Sequence, residues 1–411
     1  MTAEQTFVIV GASLAGAKAA QTLRHEGFEG RLVLVGAEDE RPYERPPLSK
    51  DYLRGEAGRE RVYVHGETFY ADHDIELRLG RTAVDLNASL SEVALDDGER
   101  LRYDRLLLAT GAEPRRLAIP GADLDGVHYL RTVGDSDVLR ERLGRGGTAV
   151  VVGAGWIGAE VAASARQRGL EVTLIAPGQV PLERVLGREL GEVYRDIHAE
   201  HGVRMLMATG VAAFEGDGAV ERVRTSDGRL LDCDFVVVGI GAQPRTGLAA
   251  RAGLAIGDGI LVDDRLQTSA PGVFAAGDVA EAEHPFYRER IRVEHWANAL
   301  RQGPVAARSM LGAGETYDSL PYFFSDQYDV GMEYSGFART WDRVIFRGDP
   351  ASREFIAFWL AGDRVLAGMN VNVWDVVDPI QRLIRERVTV DDRRLSDPDV
   401  PLEQLAPIKS T

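Results

Sequence analysis

Two glycine-rich stretches have the residue types and spacing to hold a phosphorylated ligand. TFVIVGASLAG, residues 6–16, reads as a short buried strand, a tight turn at Gly11 and the start of an Ala-rich helix running from Ala12 to Leu23. A strand that feeds a helix through such a turn aims backbone N–H groups and the positive end of the helix dipole at one point, which suits a pyrophosphate. The pattern is G-x-S-x-x-G, with Ser13 replacing the middle glycine and Gly16 closing it. AVVVGAGWIGAEVA, from Ala149, repeats the arrangement with Gly153, Gly155 and Gly158 in full G-x-G-x-x-G spacing. One such turn is a weak signal, because ordinary strand-to-helix connections can carry it. Two in one chain point to two dinucleotides, one held and one visiting.

Other residues qualify this reading. Glu38 follows the second strand, RLVLVG, and an acid there either hydrogen-bonds the adenosine ribose or is a solvated loop residue. The corresponding strand after the second glycine turn, EVTLIA, ends at Ala176 and Pro177, with no such acid. In RPYERPPLSKDYL, Pro46 and Pro47 fix φ, Ser49 or a neighbour caps a short helix, and Lys50 falls in its first turn. A lysine there opposes the helix dipole, which hints at a task other than local stability. Only three of the 48 basic residues are lysine: Lys18, Lys50 and Lys409. The single cysteine, Cys233, excludes an intrachain disulfide, and the histidines have no metal-like spacing, so no metal is expected.

The elements that position these residues fit two or three domains in 411 residues. Residues 75–108 hold short strands with an Asp-Asp-Gly turn at 96–98. DRLLLATGAEP (Asp104 to Pro114) and DFVVVGIGAQPRT (Asp234 to Thr246) are buried strands ending in glycine turns, and VHYLRT places Arg131 at its end. The chain then returns to the first domain through LQTSAPGVFAAGDVA, ending in Gly277 and Asp278, and a buried helix beginning near Glu294. From about Tyr317 the composition turns aromatic, with antiparallel strand patterns and a final helix capped by Asp378 ahead of Pro379. A formal net charge of −16 argues against nucleic acid as partner. No basic-then-apolar start and no membrane-length apolar run is present, so a soluble, cytoplasmic protein is expected.

In order, VIVGASLAG, RPPLSK, LLLATGAEP, YLRT, VVVGAGWIGAEVA, VFAAGDVA, EHWANA and FFSDQ resemble the FAD-dependent, NAD(P)H-linked ferredoxin reductases of bacterial oxygenase and cytochrome P450 systems. These are similar in fold to glutathione reductase and in sequence to apoptosis-inducing factor. The resemblance covers nearly the whole chain. It implies an α/β architecture of two Rossmann-like dinucleotide-binding domains plus a C-terminal α/β interface domain. Its divisions fall at 1–112 and 243–318 for FAD, 113–242 for NAD(P)H, and 319–411 for the interface.

Carried over, FAD lies on Gly11, Ser13, Leu14, Ala15 and Gly16, with Ala37 and Glu38 near its ribose and Ala83 offering backbone to adenine. Arg45 and Lys50 line the flavin side, Arg131 approaches the pyrophosphate, and Asp278 after Gly277 binds the ribityl chain. Ala109, Thr110 and Gly111 also border FAD, as do Glu294, His295 and Trp296 at the start of the late helix, whose dipole favours charge on the reduced ring. Trp296 either shields the ring or fills the core. NADH or NADPH uses Gly153, Gly155, Trp156, Ile157 and Gly158, with Gly239, Ile240 and Gly241 alongside and Glu160 toward the nicotinamide. Arg184 lies close enough in sequence to meet a 2′-phosphate, yet no Arg cluster replaces the missing acid, so a modest preference for NADH is expected. Lys50 and Glu160, from different domains, are implied to form the catalytic ion pair.

Disulfide reductases of this fold need a cysteine pair, and related oxidases and peroxidases one cysteine, where this chain has RPPLSK. Electrons must then leave directly from flavin, to a one-electron acceptor such as a [2Fe–2S] ferredoxin serving an oxygenase. The alternatives are an NADH oxidase and a redox-sensing interaction protein like apoptosis-inducing factor. The enzyme is expected as a monomer or homodimer, and its ferredoxin is expected to dock on Arg288, Arg290, Arg301, Arg339 and Arg343, or else on the aromatic stretch Tyr322 to Tyr328.

Overall fold

The computed structural model describes residues 5–405, so Lys409 lies outside the described residues. By packing, the chain forms two compact units. The first comprises the residues up to Glu44, Arg59–Glu113 and Gln243–Pro321; the second comprises Arg45–Gly58, Pro114–Ala242 and the chain from Tyr322 onward. The expected first segment of 1–112 is therefore interrupted: the stretch bearing Arg45 and Lys50 packs with the second glycine turn, not the first. The expected 113–242 and 319–411 segments belong to one compact unit.

In the first unit, the strands Val273–Ala275, Arg105–Leu108, Thr6–Val10, Arg31–Val35 and Ile75–Arg78 lie in that order in a parallel sheet. Near-continuous Val, Leu and Ile runs make such strands, because helices cover parallel sheets and bury both faces. Phe7, Val8, Ile9 and Val10 are all buried. The helices Leu14–His25 and Trp296–Met310 pack closely, and a Cβ at Gly303 would stand 2.4 Å from the Ala15 carbonyl oxygen. A small antiparallel sheet, Ala83–Asn87, Glu92–Leu95 and Arg100–Arg102, turns at Gly98 with φ +92°. Ala83 opens its first strand.

The second unit repeats the parallel sheet with the order Arg204–Leu206, Glu171–Ile175, Thr148–Val152, Phe235–Val238 and Val127–Tyr129. The helices Trp156–Gln167 and Arg188–Glu200 accompany it. Val133–Arg145 begins with a reciprocal capping box between Thr132 and Asp135. From Tyr322 the chain makes a five-stranded antiparallel sheet, ordered Tyr322–Gln327, Val330–Gly336, Arg364–Val371, Glu354–Ala361 and Arg343–Asp349. Trp359 fills its core and donates its indole N–H to the Leu186 carbonyl at 3.0 Å. The helix Val377–Glu386 lies against this sheet, with Val376 as its cap. Asp378 sits in its first turn, not at the cap, and the helix is not the last: Asp392–Ser396 and a 3₁₀ turn, Leu402–Gln404, follow.

Candidate functional site

Each glycine turn is wedged against the end of a neighbouring strand. Gly11 has φ +127°, and a Cβ there would stand 2.0 Å from the Ala109 carbonyl oxygen; one on Gly16 would meet the Gly11 carbonyl at 2.1 Å. Only glycine allows this approach of strand, turn and helix. Ser13 occupies the helix cap in an extended conformation and makes no side-chain capping hydrogen bond. Leu14 and Ala15 are buried in the first turn of that helix. Thr110 donates to the Arg245 carbonyl at 2.9 Å, and Gly111 takes φ +68°.

The second turn has the same construction with one difference. Gly153 has φ +103°, and its Cβ would stand 2.3 Å from the Gly239 carbonyl oxygen; that of Gly158 would stand 1.9 Å from the Gly153 carbonyl. Gly155, the helix cap, faces open space: a Cβ there would meet nothing within 4 Å. Both turns take a backbone only glycine can adopt at the start of a helix, with open room at Gly155 in the second, and they fit the pyrophosphates of two dinucleotides.

Ala37 is exposed and Glu38 is half-buried at the end of Arg31–Val35, where Tyr43 donates its hydroxyl to the Glu38 carboxylate at 2.6 Å. Sequence reasoning missed Tyr43, five residues away in an irregular segment. Asp278 follows Gly277, whose N–H donates to Gln302 at 2.8 Å. That bond ties the late helix to the turn. The helix begins at Trp296 with His295 as cap, not at Glu294, whose carboxylate pairs with Arg292 at 2.5 Å. Arg45 and Arg131, expected beside the first dinucleotide, belong to the second unit.

Within the second unit, Lys50 and Glu160 form an ion pair at 2.8 Å with little access to water: Lys50 is 8% exposed and Glu160 4%. Lys50 is not in a first turn. It links a 3₁₀ turn, Pro46–Ser49, to the short helix Asp51–Arg54. Ser49 does not cap that helix; its hydroxyl donates to Glu160 at 2.5 Å. Ser136 and Ser164 pin this segment by donating to the carbonyls of Leu48 at 2.8 Å and Ser49 at 2.6 Å. Ser325 donates to the other Glu160 oxygen at 2.7 Å. The carboxylate is thus held by a cation and two hydroxyls. Trp156 opens the Glu160 helix, its ring edge-on to Phe323 and Tyr194, while Ile157 beside it is exposed.

Ile240 and Gly241 continue from Gly239, with Gly241 at φ +102°. Ala176 is buried at its strand end, and Arg184 is exposed on the short helix Glu183–Leu186. Cys233 is buried, and burial pushes its thiol up to about 12. No group of three or more candidate metal ligands occurs among the described residues.

The pyridine nucleotide-disulphide oxidoreductase model matches residues 5–303, and the reductase C-terminal model matches 322–406. This chain belongs to the pyridine nucleotide-disulphide oxidoreductases. Within that family it is similar to putidaredoxin reductase of Pseudomonas putida, 38% identical over 98% of this chain and 97% of the relative. It is equally similar to the ferredoxin–NAD(+) reductase component of the anthranilate 1,2-dioxygenase system of Burkholderia cepacia, 39% identical over 97% and 98%. A solved covalent complex of putidaredoxin reductase with putidaredoxin matches with TM-score 0.94 and 37% identity over 98% of each chain. A member of this oxidoreductase family with a serine and a lysine in the RPPLSK segment has no sulfur there to carry electrons. Lys50 stands in that segment instead, paired with Glu160 of the helix Trp156–Gln167.

The arginines expected to form a docking patch divide between the units. Arg288, Arg290 and Arg301 lie in the first, Arg339 and Arg343 in the second. Two are already committed: Arg343 makes a bidentate pair with Asp392 at 2.7 and 2.9 Å, and Arg290 pairs with Glu283 at 3.5 Å while donating to the Val262 carbonyl. They do not form part of a free basic patch. Arg301 donates to the Leu320 carbonyl, and Arg339 lies over the Phe337 ring. Tyr322–Gln327 is a strand whose buried face carries Phe323, Ser325 and Gln327. No helix among the described residues is long and apolar enough to cross a membrane.

Proposed function

We propose that this protein is a ferredoxin reductase that takes a hydride from NADH and passes electrons singly to an iron–sulfur carrier serving an oxygenase, in the cytoplasm. FAD, when bound, supplies the conversion between two-electron and one-electron chemistry. The first unit would hold it: backbone N–H groups from Gly11 to Gly16 on the pyrophosphate, Glu38 with Tyr43 toward the ribose, Asp278 on the ribityl hydroxyls. The second unit would receive NADH on Gly153 to Gly158. Glu160, fixed at one end by Lys50 and Ser49 and at the other by Ser325, would orient the nicotinamide without giving up a proton. Trp296, at the start of the late helix of the first unit, would line the flavin.

The observation that carries this reading is the occupant of the RPPLSK segment: a buried lysine paired to a carboxylate, in a chain whose single thiol is buried, raised in pKa and outside both glycine turns. With no thiol in that segment the electrons leave from the flavin itself, which fits an acceptor that takes them singly. Cys233→Ser tests it. The variant should bind FAD and reduce a [2Fe–2S] ferredoxin at the wild-type rate. A folded, yellow variant that has lost turnover would show that sulfur carries the electrons.

A further inference from the structure

Beyond the Lys50–Glu160 pair, four buried or half-buried side chains in the second unit continue a single hydrogen-bonded line. Ser325 Oγ donates to Glu160 Oε1 at 2.7 Å. Gln327 Nε2 donates to Ser325 Oγ at 3.3 Å. Gln327 Oε1 faces His198 Nε2 at 3.0 Å, and His198 Nδ1 faces the Tyr328 hydroxyl at 3.1 Å. The Tyr328 ring stacks on His201 with centroids 3.6 Å apart. His198 has no exposed surface, and Ser325 and Gln327 are each 1% exposed. Apolar side chains would fill these positions at less risk, because a buried polar group left unsatisfied costs about 1–3 kcal/mol.

The charge on Glu160 fixes the direction of every bond in the line. A carboxylate only accepts, so Ser325 must donate its hydroxyl proton to it. The Ser325 lone pairs then accept from the Gln327 amide nitrogen. The Gln327 carbonyl therefore faces His198 and requires an N–H on Nε2. His198 Nδ1 is left with a lone pair, which accepts from Tyr328. All four donors point toward Glu160, and hydrogen bonds aligned in one sense reinforce one another.

We propose that Ser325, Gln327 and His198 are positioning residues that form a one-way relay holding the Glu160 carboxylate in register with Lys50. The relay acts through Glu160 and does not touch substrate. An amide in the middle conducts protons poorly, so the line works by orientation and field, not by proton transfer. The other groups facing the pair are Asp326 and Tyr194. Asp326 repels the Glu160 charge, and the buried Tyr194 phenol stays neutral, so Lys50 and the two serines must offset both burial and Asp326. Burial, helped by the neighbouring His201 and opposed by the Gln327 hydrogen bond, keeps His198 neutral near pH 7.

The functional consequence rests on the assignment of Glu160 to the nicotinamide side, whereas the relay itself can be read without it. In FAD-loaded protein with ¹⁵N-labelled histidine, His198 should appear as the neutral Nε2–H tautomer at pH 7, its resonance assigned by loss in His198→Gln. Ser325→Ala cuts the line at Glu160 and should turn that single tautomer into a mixture. NADH-driven flavin bleaching, followed with ferricyanide as acceptor, should slow about tenfold in Ser325→Ala and His198→Phe while FAD stays bound. His198→Gln restores a donor toward Gln327 and should return the rate toward wild type. A wild-type His198 that is cationic or Nδ1–H, a tautomer indifferent to Ser325→Ala, or a rate unmoved in both cutting variants would overturn the relay. Absence of bleaching by NADH in the wild type would instead refute the functional reading, leaving the tautomer result to judge the relay alone.

Discussion

Lys50 and Glu160 give up most of their hydration on folding, and each is tolerable only because the other is there. Removing one partner leaves a buried charge uncompensated, at a cost of about 3–5 kcal/mol, whereas removing both costs less. Lys50→Met should therefore lower the urea-unfolding free energy by that order and slow hydride transfer while FAD stays bound; Lys50→Met with Glu160→Gln should recover stability but not rate. Stopped-flow bleaching at an unchanged rate in the single variant would remove Lys50 from the site. His198 makes a second prediction at this scale. Burial holds it down to about 4, against an ordinary value of 6.5. Between these values the unfolded chain binds a proton that the folded protein refuses, so stability falls as pH drops through this window and levels off below it. The acid slope of the unfolding free energy should be shallower in His198→Gln, and an identical slope would mean that His198 protonates freely in the fold.

Lys50 was legible in the sequence because a lysine beside a helix start contradicts the dipole, whereas Glu160 was reached only through the family resemblance. Ser325, Gln327 and His198 were not, since their partners lie far along the chain and hydrogen bonds between distant residues leave no local spacing. One signal was available: the period-two alternation of Tyr322–Gln327 puts Ser325 and Gln327 on the face of Phe323, where a strand normally buries apolar side chains.

At the level of elements, the two glycine turns and the strands feeding them follow from residue pattern, because buried parallel strands and tight turns each restrict composition. Helix starts were less accurate. The late helix begins two residues beyond Glu294, and Lys50 sits between the 3₁₀ turn that the double proline opens and the short helix Asp51–Arg54. The placement of Arg45–Gly58 in the second unit was invisible, since nothing local tells a chain which of two sheets it will pack on. The glycines within one motif differ in what they do, and this is testable. Gly158→Ala forces a Cβ onto the Gly153 carbonyl and should cost about 2–3 kcal/mol of stability. Gly155→Val meets open space, so stability should change by less than about 1 kcal/mol while the Kd for NADH rises at least about tenfold. Equal destabilisation by both would mean that Gly155 serves packing, not the nucleotide. At the strand ending in Ala176, no acid repels a 2′-phosphate. NADH should still be preferred, by about 1–3 kcal/mol in kcat/KM, and Arg184→Glu should widen the gap. A ratio clearly favouring NADPH in the wild type would contradict this.

On the scale of the whole molecule, a net charge of −16 repels an acidic carrier, so docking needs local basic groups. Arg343 and Arg290 are held in ion pairs, so reversal at Arg343 should affect stability more than docking, through loss of the Asp392 pair. Reversal at Arg288, Arg301 or Arg339 should raise the KM for ferredoxin while leaving ferricyanide reduction intact, and carrier reduction should slow as salt screens the encounter. Silence of all three reversals together with a rate indifferent to salt would mean apolar docking.

The central claim is that a hydride taken from NADH leaves as two single electrons, with no sulfur relay. Its most direct test is an electron balance under air with limiting NADH and excess oxidised [2Fe–2S] ferredoxin. Each NADH should yield one NAD⁺ and two reduced ferredoxins, with a proton released and little hydrogen peroxide formed, in the wild type and in Cys233→Ser alike. Ferredoxin that stays oxidised while one peroxide appears per NADH would contradict the account and identify the protein as an oxidase.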